Sequence, residues 1–152
     1  MKIWVDADAC PVPVKDVIMT AAIRRKVKTI FVANKQTSLP TSEYLSFVQV
    51  ALGPDVADDY IKEHTEKFDL IVTQDTLLAH QLVPIGAVVI DPYGRKFTED
   101  NIGERVALRN LLQESRDRGE ITGGPKPFGA KEKREFASVF DKELTRLLRI
   151  AK

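Results

Sequence analysis

Three observations predict an α/β fold with a doubly wound, mainly parallel five-stranded sheet. Five short apolar runs recur along residues 1–92. Segments with helical apolar spacing separate most of them. The runs are apolar at consecutive positions, the pattern of parallel strands buried on both faces. Right-handed crossovers restrict the topology, and the order 3-2-1-4-5 is the working arrangement.

Residues 2–6 (KIWVD) form the first predicted strand, which stops at the carboxylates of Asp-Ala-Asp. Pro11 and Pro13 suit a first helical turn, where a missing N–H costs nothing. Asp8 is the candidate N-cap of that helix. Val14, Val17, Ile18, Ala21 and Ala22 follow at helical spacing, and Arg24 to Lys26 place cations at the helix end. Residues 28–33 (KTIFVA) are the second strand, and residues 34–42 are a polar loop. Residues 47–52 (FVQVAL) are the third strand, ended by Gly53-Pro54. Residues 55–67 have helical character, with Asp55 as candidate N-cap and Asp58 and Asp59 in the first turn. Residues 69–73 (DLIVT) are the fourth strand. A helix through Leu77, Leu78, Leu82 and Val83 leads to the fifth strand at residues 87–90 (AVVI).

Residues 91–101 read as a polar loop. Residues 102–118 read as a helix whose apolar positions include Leu108, Leu111 and Leu112. Residues 119–129, rich in Gly and Pro, cannot be regular, and residues 131–152 form an amphipathic helix through Phe136, Phe140, Leu144 and Leu147. The chain is read as one domain over residues 1–152. Residues 1–92 supply the sheet core, and residues 93–152 a helical extension packed on it.

With 23 basic and 22 acidic residues the net charge is +1, so bulk charge neither selects nor excludes nucleic acid. No stretch approaches the roughly 20 apolar residues of a membrane span, and no signal peptide is evident. A cytoplasmic protein with no membrane partner is the expectation. The single Cys10 excludes an internal disulfide, and with only two histidines it excludes a cysteine-rich zinc site. Cys10 sits at a predicted helix N-terminus, which favours a thiolate, but a buried small residue is the simpler reading. His64 and His80 read as surface helix residues.

In open α/β sheets, ligands bind beyond the carboxyl ends of the strands, where strand order reverses. In the predicted order that point lies between the first and fourth strands. Asp6 and Asp8 end the first, Asp75 lies two residues past Thr73 on the fourth, and Asp58 lies near the start of the helix feeding it. Carboxylates crowded together repel, and a hard cation resolves the conflict. An all-oxygen set suits Mg²⁺ or Mn²⁺, and the chemistry that follows is phosphodiester hydrolysis. Asp6, Asp8, Asp58 and Asp75 are therefore both the metal-ligand and the catalytic candidates. Each has a structural alternative: Asp8 and Asp75 can cap helices, and Asp58 can simply favour a helix N-terminus. Thr73 and Gln74 are candidates to orient water or substrate. Arg105 and Arg109, one helical turn apart, and Lys126 are candidates to hold phosphate. A solvated helix face and a tight connection are the respective alternatives.

Four motifs carry a family resemblance: Asp6-Ala-Asp-Ala-Cys-Pro11, Asp55-Val-Ala-Asp-Asp-Tyr-Ile61, Leu70-Ile-Val-Thr-Gln-Asp75 and Thr122-Gly-Gly-Pro-Lys-Pro-Phe128. In this order they resemble the YaiI/YqxD family, also called UPF0178 or the domain of unknown function 188. That family in turn resembles a branch of the PIN-like nucleases. The resemblance implies a PIN-like fold, Mg²⁺ or Mn²⁺ on the acids, and RNA as substrate. PIN domains carry a further acid on a helix between the first strand and the position of Asp58. Here Glu43 is the sole acid between Asp16 and Gly53, and it lies in or beside a loop, so Asp8 is the candidate replacement. Two other functions are open: a non-catalytic RNA- or protein-binding module, and a haloacid-dehalogenase-like phosphatase with Asp6 as nucleophile.

Overall fold

The computed structural model describes residues 1–119 and 127–151. Its sheet has the order β3-β2-β1-β4-β5-β6. The strands are β1 (Ile3–Asp6), β2 (Thr29–Ala33), β3 (Leu45–Gln49), β4 (Leu70–Val72), β5 (Val88–Ile90) and β6 (Lys96–Phe97). The first five are parallel in the predicted order, with Val5 level with Phe31 on one side and Val72 on the other. The helices are α1 (Val12–Arg25), α2 (Val56–His64), α3 (Thr76–Leu82), α4 (Ile102–Asp117) and α5 (Ala130–Ile150).

Strand alternation sends successive side chains to opposite faces, so each apolar strand feeds two cores. On one face Ile3, Val5, Leu70 and Ile90 meet Val14 and Ile18 of α1, together with Phe136, Phe140 and Leu144 of α5. On the other, Trp4, Ile71 and Val89 meet Ile61 of α2, Leu78 and Leu82 of α3 and Ile102 of α4. Helices on both faces leave the carboxyl edge of the sheet open, and the functional candidates gather there.

Four local expectations change. The loop at residues 91–101 contains β6, a two-residue strand antiparallel to β5. Its preceding turn is folded around the buried Asp91, whose Oδ1 accepts from the N–H groups of Tyr93 and Arg95 (both 2.9 Å). β3 begins at Leu45, opposite Thr29, and ends level with the end of β2, so Leu52 lies beyond the sheet and 86% exposed. Asp8 does not cap α1. It lies in a 3₁₀ turn at Ala7–Ala9, and Pro11 occupies the cap position with no side-chain hydrogen bond. Along α4 only Ile102 is buried, whereas Leu108 and Leu111 are more than half exposed, although the helix packs beside α3. The irregular connection expected at residues 119–129 falls largely on residues 120–126, which lie outside the described residues, as does Lys126.

A candidate metal centre beside an arginine cleft

Asp6 ends β1 and is half-buried. The next strand, β4, stops three positions short of Asp75, and the buried Thr73 between them links both acids. Its hydroxyl donates to Asp6 Oδ2 (3.0 Å) and accepts from the Asp75 N–H (3.0 Å). Asp75 is the N-cap of α3, its Oδ1 accepting from the N–H groups of Leu77 and Leu78 (2.9 and 3.1 Å). The capping alternative and the site position are therefore both realised in one residue. Gln74 is exposed at the same edge, its side-chain amide donating to the Ala9 carbonyl.

A helix joining two parallel strands starts at the carboxyl edge, so the first turn of α2 reaches the ends of β1 and β4. Asp58 lies in that turn. Asp55 precedes it at the cap position with φ +65°, yet its side chain makes no capping bond. Three residues apart, Asp55 and Asp58 share a helix face. Each of Asp55, Asp58 and Asp75 offers a carboxylate oxygen within 4.8 Å of the other two. Asp55, read from the sequence as a cap alone, thus joins the cluster, and the signal for it was this three-residue spacing. Asp6 borders the same cleft of about 390 Å³. Asp8 is turned aside. It is exposed, and its Oδ2 accepts from the Asn34 N–H (2.7 Å), tying the end of β1 to that of β2. Glu43 is exposed at the start of β3, at the opposite end of the sheet.

The electrostatics record the crowding. Burial, the neighbouring Asp75 carboxyl and the charges of Asp6 and Asp55 push Asp58 up to about 8. Burial also works to raise Asp75. Hydrogen bonds from the Asp58 carboxyl and the Leu78 and Leu77 N–H groups, with the charge of Arg109, outweigh it and hold Asp75 below its ordinary value. The pair thus holds a proton more tightly than two separate carboxyls would. Burial raises Asp6 as well, and the charges of Asp75 and Asp8 add to this against the pull of the Thr73 hydrogen bond. Cys10 is buried, and its thiol is pushed up to about 12, which leaves it inert as a nucleophile. His64 stacks on Tyr60 at 4.1 Å, away from the acids.

The donor set fits a hard divalent cation. It offers oxygen only, carries excess negative charge, and needs little motion to close: oxygens on one Mg²⁺ at about 2.1 Å lie up to about 4.2 Å apart. Arg109 of α4 lines the acidic cleft from the other side. Arg105 lies in the adjoining cleft, its guanidinium 5.1 Å from the Phe97 ring centre.

Buried acids elsewhere are structural. Asp69 accepts from the Lys2 N–H, the Trp4 indole and the Glu66 N–H (2.9, 3.1 and 2.9 Å). Asp91 also pairs with Arg95 at 2.6 Å. Among the described residues no helix is long and apolar enough to cross a membrane.

Comparison with known proteins gives the family of the chain. No solved structure matches the chain. A UPF0178 protein of Myxococcus xanthus is 54% identical over 98% of this chain and 97% of its own length. One of Syntrophobacter fumaroxidans is 49% identical over 99% and 98%, and one of Pseudomonas fluorescens is 42% identical over 98% and 99%. Residues 4–146 match the family model described as "Uncharacterized BCR, YaiI/YqxD family", and the chain belongs to that family.

Proposed function

We propose that this protein is a divalent-metal-dependent phosphodiester hydrolase of PIN-like type acting on RNA. One observation carries the reading: carboxylates from β1, α2 and the start of α3 meet at the strand-order reversal, with Arg109 across the cleft. The choice of RNA comes from the PIN-like resemblance of the motifs.

In this reading Asp58 and Asp75 would hold Mg²⁺ or Mn²⁺ with Asp55, while Asp6, a ligand candidate from the sequence, borders the same cleft outside that group of three. The predicted ligand Asp8 serves the β1–β2 edge, and it acts on the site through its charge on Asp6. A bound ion supplies a lowered pKa for the attacking water and neutralises charge building on the phosphate oxygens. Asp6 accepts the proton at Oδ1, because Thr73 fixes its Oδ2. Thr73 is a positioning residue that sets Asp6 and Asp75 in one register. Gln74 orients substrate from the rim, and Arg109 binds the phosphate being cleaved, with Arg105 beside it.

The test is cleavage of labelled single-stranded RNA with Mn²⁺ or Mg²⁺ by wild type, Asp6→Asn and Asp75→Asn. Each variant should lose at least about 100-fold in rate while its circular dichroism stays native. Equal activity in all three would overturn the reading. Absence of cleavage by the wild type on RNA and on DNA would also overturn it, in favour of a non-catalytic module.

A further inference from the structure

We propose that the cleft along α4 is a backbone track for single-stranded nucleic acid, with Arg105 and Arg116 holding phosphates that flank the one at the acidic centre. This rests on the nuclease reading for its direction, and on the charge of the cleft for its substance. The cleft has a volume of about 400 Å³ and adjoins the acidic one, sharing Gln74, Thr76 and Arg109 with it. The basic cleft and the acidic one are therefore one continuous surface.

Four arginines line the cleft, and they are not equivalent. Arg95 is neutralised by Asp91 at 2.6 Å. Arg105, Arg109 and Arg116 form no ion pair within 4.0 Å among the described residues. Among the described residues the hydrogen-bond partners of Arg109 and Arg116 are the neutral Asn110 and Gln113 (3.1 and 3.0 Å), and Arg105 lies over the Phe97 ring. Positions 105, 109 and 116 fall on one helical face, spanning about 16 Å along the axis. Unpaired guanidinium groups aligned at that spacing suit a polyanion better than a single small anion.

The apolar lining sets the kind of readout. Leu108 and Leu112 are 55% and 37% exposed, while Phe97, the cleft's aromatic ring, is buried at 4% and covered by Arg105. Bases thus meet aliphatic surface without an open aromatic platform, so recognition is by backbone and tolerates any sequence. A cleft of about 400 Å³ seats about one or two nucleotides of a strand at a time.

Binding of a labelled single strand of about twelve nucleotides, measured by fluorescence anisotropy in EDTA, tests this apart from cleavage. Arg105→Gln and Arg116→Gln should each weaken binding by roughly three- to tenfold. Each should also flatten the slope of log K against log salt by about 0.7. Strands of unrelated sequence should bind alike, a dinucleotide much more weakly, and a duplex of the same sequence more weakly than the single strand. Unchanged affinity and slope in both variants, no binding by wild type at about 50 mM salt, or duplex binding as tight and as arginine-dependent would each overturn the track. Asp75→Asn should still bind the strand. Loss of cleavage with retained, arginine-dependent binding separates failure of the catalytic reading from failure of this one.

Discussion

At the residue scale the acidic cluster holds an unresolved conflict. Asp58 sits among Asp55, Asp75 and Asp6, and its carboxyl is raised to about 8 by burial and by those neighbours. A carboxyl raised in the fold contributes its stability fully below its unfolded value near 3.9, and loses it as pH climbs through the folded value. The metal-free wild type therefore weakens from about pH 4 upward and levels off once pH passes about 8. Asp58→Asn keeps the shape, removes the charge and leaves an amide to donate to Asp75. It should raise the melting temperature of the EDTA-treated protein by about 2–4 °C, more at pH 9 than at pH 6. It should also abolish the rise in melting temperature that Mn²⁺ gives the wild type. A lower melting temperature for the variant in EDTA would show that Asp58 is a structural acid, in the manner of Asp69.

At the scale of elements, α4 separates what packs from what does not. Ile102 is buried against the α2–α3 side of the sheet, while Leu111 is 56% exposed. Ile102→Ala should cost about 2–4 kcal/mol in urea unfolding, and Leu111→Ser should change stability by less than about 0.5 kcal/mol. Comparable losses from both would mean that the outer turns of α4 are covered in solution. The same helix shows where sequence reading stops. Its leucines recur at core spacing, but periodicity reports which face is apolar, not whether anything covers it. The parallel strands were legible because burial on both faces makes them continuously apolar, and their order followed from connection rules. β6 was not: two residues of an antiparallel edge carry no period, and the polar turn before it is organised by the buried Asp91. That Asp6, Asp58 and Asp75 come to one edge was legible because each sits at the end of a strand or the start of a helix there. Asp8 was misread as the cap of α1 because the chain inserts a 3₁₀ turn before that helix, and its side chain accepts from the Asn34 N–H instead. Asp55 was read as a cap because Gly-Pro precedes it, and its freedom from capping is visible only in three dimensions.

At the scale of the molecule, the apolar packing of α5 on the sheet is joined by a buried acid that periodicity hides. Glu143 lies on α5 at a core-facing position, 5% exposed. Its Oε1 pairs with Lys96 of β6 at 3.1 Å, and its Oε2 accepts from Arg146 at 2.7 and 3.0 Å. The turn before β6 approaches the same helix so closely that a Cβ at Gly94, where φ is +86°, would lie 2.9 Å from the Glu135 carbonyl. Helix and hairpin thus dock over a short path, and Glu143 supplies the charge pairing across it. Burial works to raise its carboxyl, but the hydrogen bonds from Arg146 and Lys96 and their charges hold it below the ordinary glutamate value. For a lowered carboxyl, the stabilisation is complete above the unfolded value near 4.3 and disappears as pH falls through the folded one. Glu143→Gln keeps the size and loses the charge. Removing one member of a buried pair costs up to about 3–5 kcal/mol, but the Lys96 and Arg146 side chains are 36% and 46% exposed and recover hydration. A loss of about 1–2 kcal/mol at pH 7 is expected. The gap between wild type and variant, read from urea midpoints, should persist to about pH 5 and close toward pH 3. A gap that stays constant through that range would assign the loss to packing alone, and would remove the ion pair from the account of how α5 and β6 are held together.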